Sequence, residues 1–89
     1  MTKSELDNFL KNNGYNYDIE SQIYQYNNKE YTIIVSGEHV ITITILNFNN
    51  AVNHFILLKN LTEEKFDKIL KILMDKMTEI NEIFNKLLL

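Results

Sequence analysis

The hydrophobic period of the chain changes twice, and these changes constrain the fold more than any other feature of the sequence. Apolar residues between positions 3 and 12 follow the i, i+3, i+4 spacing of one helix face. Between positions 15 and 58, apolar and polar residues alternate and β-branched and aromatic types dominate, as is typical of strands. The helical period then returns from position 62 onward. This order predicts a single two-layer α+β domain over residues 1–89.

Short breaks rich in Asn or Gly divide the middle of the chain into strands. These breaks are Asn27-Asn28, Gly37-Glu38 and the stretch 47–50. We expect a four-stranded antiparallel meander, with strands at about 17–26, 30–36, 39–46 and 52–58. The last of these strands is almost entirely apolar in its second half, which favours a strand covered on both faces. Its position in the sheet cannot be predicted from the pattern.

Two helices are expected to back this sheet, giving the order α-β-β-β-β-α. Thr2 and Glu5 have the spacing of a capping box, which predicts a short helix over residues 3–12. Thr62 is a good N-cap for a long helix that contains no Gly or Pro. About 26 residues give nearly 40 Å of helix, whereas strands of seven or eight residues cover only about 25 Å. The long helix should therefore extend past the sheet.

The end of this helix is apolar and needs a covering surface. The residues concerned are Ile83, Phe84, Leu87, Leu88 and Leu89. A bend in the helix, the N-terminal helix or another chain could cover them.

Two-residue loops in the first two hairpins would fix the register of the sheet. Tyr24 would then oppose Tyr31, Val35 would oppose Val40, and Ile33 would oppose Thr42. One face would form the core from Ile19, Ile23, Ile34, Ile41, Ile43 and Ile45. The opposite face would hold Tyr24, Tyr31, Ile33, Val35, Val40 and Leu46, and would be unusually apolar for a solvent-facing surface. A three-residue loop after position 26 would reverse the sides of the first strand.

Missing residue types exclude most enzymatic chemistry. The chain has no Cys, so disulfides, zinc–thiolate sites and thiol nucleophiles are excluded, and its two Gly cannot form a phosphate-binding loop. His39 and His54 are the only histidines, and the turn positions do not bring them together. We therefore expect no catalytic residue, no metal site and no cofactor. A small hydrolase that uses His39 or His54 is the enzymatic alternative.

Charge argues against nucleic acid and membranes as partners. The net charge is −3, and all nine cations are Lys, so Arg is absent as a reader of phosphates and bases. The long helix lacks a basic face for a membrane surface. Five tyrosines lie between positions 15 and 31, where stacking of Tyr24, Tyr26 and Tyr31 on single-stranded nucleic acid is the alternative function. This segment holds one Lys and three acidic residues, which favours a protein interface instead.

These observations predict a non-catalytic protein-interaction module. A domain of this size is marginally stable alone, and without disulfides or metals its usual supplement is oligomerisation, here as a homodimer. The Asn-, Ile- and Lys-rich composition suggests a phage or mobile-element protein, and hence an inhibitor that blocks a host protein. With no signal-peptide pattern, a cytoplasmic location is expected. The predicted interface residues are Tyr24, Tyr31, Ile33, Val35, Val40, Leu46, Ile83, Phe84 and Leu87.

Overall fold

The computed structural model describes residues 1–48 and 50–88, and it shows the predicted two-layer α+β architecture. Its elements are α1 (Lys3–Asn12), β1 (Asn16–Asp18), β2 (Ile23–Asn27), β3 (Thr32–Ser36), β4 (Val40–Leu46), β5 (Ala51–Leu57), a short 3-10 turn (Leu58–Asn60) and α2 (Glu63–Leu88). The sheet is an antiparallel meander in the order β1-β2-β3-β4-β5. It contains five strands, and the predicted count of four was wrong.

The additional strand arises because a tight turn divides the predicted first strand into β1 and β2. Asp18 closes this turn: its side chain accepts a hydrogen bond from the Ser21 hydroxyl at 2.6 Å, and its carbonyl accepts one from the Gln22 amide at 2.8 Å. Gln22 has a positive φ of 58°, a conformation that glycine usually supplies. Because the turn contains no Gly, Pro or Asn, the sequence pattern did not reveal it. Ile19 at its tip is exposed rather than part of the core.

The loop between β2 and β3 is longer than the predicted two residues. Asn28 organises it, since its side-chain oxygen accepts hydrogen bonds from the amides of Glu30 and Tyr31 at 2.8 and 2.9 Å. Tyr24 consequently pairs with Val35, and not with Tyr31. This register differs from the prediction by an even number of residues, so the relative sides of β2 and β3 are preserved.

The hairpin between β3 and β4 differs from the prediction in a way that reverses the faces. Ser36 pairs with Thr42, which leaves residues 37–41 between the last paired positions. Gly37 has a φ of +107°, and a Cβ at this position would collide with the Val40 carbonyl oxygen. The pairing of β3 with β4 is shifted by three residues from the predicted register, since Val35 pairs with Ile43 and not with Val40. Because three is an odd number, the faces of β2 and β3 that were predicted to be exposed point into the core.

The core therefore contains side chains that were expected on the outside. Val35 pairs with Ile43, and Ile33 pairs with Ile45, so both belong to the helix-covered face. Ile23 and Ile34, expected in the core, are half-buried on the opposite face. The buried apolar residues of the sheet are Tyr24, Ile33, Val35, Ile41, Ile43 and Ile45. The helices and two connecting segments complete the core with Leu6, Leu10, Tyr15, Leu61, Phe66, Ile69, Leu73 and Met77.

Both helices begin as predicted and pack side by side on this inner face. The capping box of Thr2 and Glu5 is present, and the Thr62 hydroxyl accepts a hydrogen bond from the Lys65 amide at 3.1 Å. Phe9 of α1 meets Phe66 of α2 edge to face, with ring centroids 5.2 Å apart. α2 packs against β4 and β5. β5 is an edge strand whose outward side chains are exposed, so the prediction that both its faces are covered was wrong.

Candidate interaction surfaces

The predicted interface residues lie in three different environments. Tyr24, Ile33 and Val35 are buried in the core, where no partner can reach them in the folded domain. Tyr31 is half-buried and packs against the core. Val40 and Leu46 lie on the outer sheet face, and Ile83, Phe84 and Leu87 lie near the end of α2. The last two groups remain accessible, and each belongs to a larger apolar surface.

The last two turns of α2 extend beyond the sheet. Asn50, immediately before β5, donates a hydrogen bond from its side-chain amide to the Asn81 side-chain oxygen at 3.1 Å. Beyond Asn81, every residue from 82 to 88 is exposed. Ile83 is 60% exposed and Leu87 is 80% exposed. We call residues 82–88 the projecting end of α2, and its overhang agrees with the length predicted for the helix.

The apolar stripe of α2 continues without interruption from the core into the projecting end. Its members are Phe66, Leu70, Leu73, Met77, Ile80, Phe84 and Leu87, which follow alternating steps of four and three residues. This spacing is typical of helices that pack along another helix. The N-terminal part of the stripe is satisfied by the chain's own core, whereas Phe84 and Leu87 are exposed. The projecting end thus has a surface suited to packing, without a counterpart in its own domain.

The outer face of the sheet is almost uncharged. The outward-facing residues of the described strands are Asn16, Asp18, Ile23, Gln25, Asn27, Thr32, Ile34, Ser36, Val40, Thr42, Thr44, Leu46, Ala51, Asn53, Phe55 and Leu57. Asp18 is the only charged residue among them, and Phe55 is 62% exposed. Depletion of charge is characteristic of the centre of protein interfaces. Phe55 and Leu57 were not among the predicted interface residues, because this strand was expected to be covered on both faces.

β5 also presents an unpaired backbone edge. The Leu58 amide donates to the His39 carbonyl, and the Asn47 amide donates to the Asn50 carbonyl, both at 2.9 Å, so these bonds bracket the β4–β5 ladder. Since hydrogen-bonded pairs alternate along an antiparallel ladder, even-numbered residues of β5 bond to β4. The amides and carbonyls of the odd-numbered residues point away from the sheet. The sequence of β5 contains no Lys or Pro, which commonly protect such edges.

Tyr24, Tyr26 and Tyr31, the residues predicted to stack on bases, pack into the domain instead of forming an open stacking surface. The Tyr24 hydroxyl donates to the Asp7 carboxylate at 2.5 Å, and burial together with this bond raises the tyrosine pKa. Tyr15 is buried, and its ring centroid lies 5.6 Å from that of Tyr26 and 6.2 Å from that of Phe66. Burial raises the pKa of the Tyr15 hydroxyl. Tyr26 and Tyr31 line a shallow cavity between α2 and the sheet. This arrangement leaves little ring surface for bases to stack on.

The two histidines occupy separate positions, His54 on β5 and His39 in the hairpin between β3 and β4. His54 pairs with Ile43 in the middle of the β4–β5 ladder, and the His39 carbonyl accepts a hydrogen bond from the Leu58 amide at one end of that ladder. Four ladder positions, about 13 Å, therefore separate the two residues along the strand direction. Within residues 1–48 and 50–88, no cluster of three or more His, Cys, Asp or Glu side chains could hold a metal ion.

Comparison of the chain with known protein families, with curated proteins and with solved structures found no match. In the part of the chain that the structure describes, no helix is both long and apolar enough to cross a membrane.

Proposed function

We propose that this chain is a non-catalytic protein-interaction module that forms a homodimer through the projecting end of α2. The observation that carries this proposal is the exposure of Ile83, Phe84, Leu87 and Leu88 on two helical turns that extend past the sheet. These residues continue the stripe that forms the core, and no contact within the described domain accounts for their apolar character.

Physical estimates support an association at this surface. Full burial of a Leu, Ile or Phe side chain contributes about 1.5–3 kcal/mol, so four such side chains can offset much of the cost of association. The free end of a helix frays in water when no tertiary contact holds it, because most helical stability in proteins comes from packing of the apolar face. Packing against a partner would stabilise the projecting end as a helix.

The proposed role for the assembled form is to bind and block another protein in the cytoplasm, as the phage-like composition suggests. The outer sheet face supports this part of the proposal, because it is broad, nearly uncharged and not used by the helices. Contact with single-stranded nucleic acid through Tyr24, Tyr26 and Tyr31 has less support, since Tyr24 is buried and the other two are half-buried.

Sedimentation velocity over a wide dilution range tests the dimer. We expect the wild-type chain to dissociate on dilution, and Phe84→Lys to remain monomeric at concentrations where the wild type is dimeric. Asn85→Lys is the matched control, since it adds the same charge at the adjacent exposed position. Circular dichroism confirms that both variants are folded. A wild-type chain that stays monomeric at all concentrations, or a Phe84→Lys variant that dimerises as well as Asn85→Lys, would overturn the proposal.

A further inference from the structure

We infer that the second copy binds along the free edge of β5, so that two antiparallel sheets join into one continuous ten-stranded sheet. This inference rests on the proposed homodimer and specifies its geometry. Three features of the chain independently satisfy the same two-fold arrangement: the unpaired edge of β5, an exposed Ile72 on α2, and the projecting end of α2.

The edge of β5 fits a second copy of itself in one register best. Ala51, Asn53, Phe55 and Leu57 direct their amides and carbonyls outward, as deduced from the bonds that bracket the β4–β5 ladder. When Ala51 pairs with Leu57 of the second copy and Asn53 pairs with its Phe55, all four outward residues of both strands are satisfied. A shift by two residues in either direction leaves some of them unpaired. In the favoured register, His54 lies on the two-fold axis and faces His54 of the second copy.

Ile72 lies at the level of this axis. Asn81 of α2 contacts Asn50, four residues before His54, and α2 runs antiparallel to β5. Four strand residues cover about 13 Å, which corresponds to about nine residues of helix. Nine residues before Asn81 is Ile72, whose side chain is 54% exposed.

Ile72 also lies on the side of α2 that faces the free edge. Leu70 and Met74 line the cavity beside Tyr31, on the side of the helix nearer to β3. Ile72 is about 200° around the helix from each of them, so it points away from β3 and toward the edge at β5. Because α2 packs on β4 and β5, the helices of two joined copies would run side by side and meet at Ile72.

The same two-fold axis would bring the projecting end of α2 over the second copy. With Ile72 at the centre of two antiparallel helices, Asn81 lies level with Glu63, the first residue of α2 in the second copy, so the projecting end begins beside the segment that precedes that helix. This is the region of the 3-10 turn, where an open apolar cavity is lined by Met1, His39, Leu57, Leu58 and Lys59. A standard interface takes about 800 Å² from each partner, roughly an eighth of this chain's surface of 6338 Å².

Single cysteines test the register directly, because the natural chain has none. His54→Cys places two thiols on the axis, in a non-hydrogen-bonded pair with Cα atoms about 4.5 Å apart, which is within disulfide range. We expect this variant to form a covalent dimer under mild oxidation. Thr44→Cys, on the outer face of central strand β4, is the control and should stay monomeric on denaturing gels.

Ile72→Glu tests the helix contact, with Lys71→Glu on the solvent side of α2 as its control. We expect Ile72→Glu to raise the dimer dissociation constant at least tenfold relative to Lys71→Glu. If the wild type dimerises and Phe84→Lys prevents it, but His54→Cys does not cross-link and Ile72→Glu dimerises like its control, the β5 arrangement is wrong and the proposed dimer stands. A wild-type chain that never dimerises would contradict both the proposed homodimer and its β5 arrangement.

Discussion

At the scale of single residues, Asp7 connects α1 to the sheet. Its carboxylate accepts hydrogen bonds from the Tyr24 hydroxyl at 2.5 Å and from the Lys11 ammonium at 3.1 Å. The Tyr24 hydrogen bond, followed by that from Lys11, lowers the pKa of this carboxyl group below its usual range. The charged carboxylate therefore stabilises the folded state above the unfolded pKa of about 4, and this contribution is lost as the pH falls through the lower folded pKa.

Asp7→Asn should lower the unfolding free energy at neutral pH, and the unfolding free energy of the variant should depend less on pH in the acid range. The wild type is expected to lose more of its unfolding free energy between pH 5 and pH 2.5 than the variant does. Urea unfolding followed by circular dichroism at these pH values measures the difference. Glu30→Gln, in the exposed β2–β3 loop, serves as the control for loss of one negative charge. Equal acid sensitivity of Asp7→Asn and the wild type would contradict the role of this carboxylate.

Alanine substitutions at Gly37 and Gly14 should differ in their effect on stability. Both have positive φ, so alanine at either position incurs a backbone penalty of about 1–2 kcal/mol. At Gly14 the added Cβ would lie 3.7 Å from the Tyr26 ring, an ordinary contact, whereas at Gly37 it would collide with the Val40 carbonyl. We expect Gly37→Ala to lower the unfolding free energy more than Gly14→Ala, as measured by urea denaturation. A smaller effect at Gly37 would contradict the tight turn between β3 and β4.

At the scale of elements, α2 has two regions with different functions. Leu73 is buried between the helix and the sheet, and Leu87 belongs to the exposed projecting end. Leu73→Ala should lower the unfolding free energy by about 2–5 kcal/mol, as for other buried leucines. Leu87→Ala should change the unfolding free energy of the dilute, monomeric chain by less than about 0.5 kcal/mol. Denaturant titrations at low concentration measure both, and a large loss for Leu87→Ala in the monomer would show that this leucine packs within its own domain.

The sequence predicted the helices more accurately than the sheet, and the reason is local. Thr2 and Thr62 fix the helix starts through caps that depend only on neighbouring residues. The length of α2 against that of the strands was enough to predict its overhang. Strand faces depend instead on the number of residues in each loop. The longer turn at Gly37 changed this number by an odd amount and moved Tyr24, Ile33 and Val35 from the predicted surface into the core.

The place of β5 in the strand order could not be predicted from the sequence pattern either. Its apolar residues are compatible with a central strand and with an edge strand, because the pattern does not record which neighbours pair with it. The exposure of Phe55, the free backbone edge and the position of Ile72 all follow from that placement. The projecting end of α2 could therefore be predicted from the sequence, whereas the surface around β5 could be recognised only once the strand order was known.

At the scale of the whole molecule, the domain is elongated, with extents of 47 × 25 × 19 Å. Its two helices cover one face of the sheet, and the exposed apolar side chains of the described residues include those of the outer sheet face, Ile72 and the projecting end of α2. In the proposed dimer, the projecting ends are covered by the opposite copies and the two outer faces form one continuous, nearly uncharged surface. Self-association would thus stabilise a small domain and enlarge the surface that it can offer to another protein.

Hydrogen exchange can show whether a second copy covers the projecting end of α2. Amides of residues 84–88 belong to two helical turns that should open freely when no partner covers them. We expect these amides to be protected at high protein concentration and to exchange rapidly after dilution, while amides around Leu73 stay protected under both conditions. Rapid exchange of residues 84–88 at every concentration, or protection that does not change on dilution, would contradict the claim that a second copy covers this end.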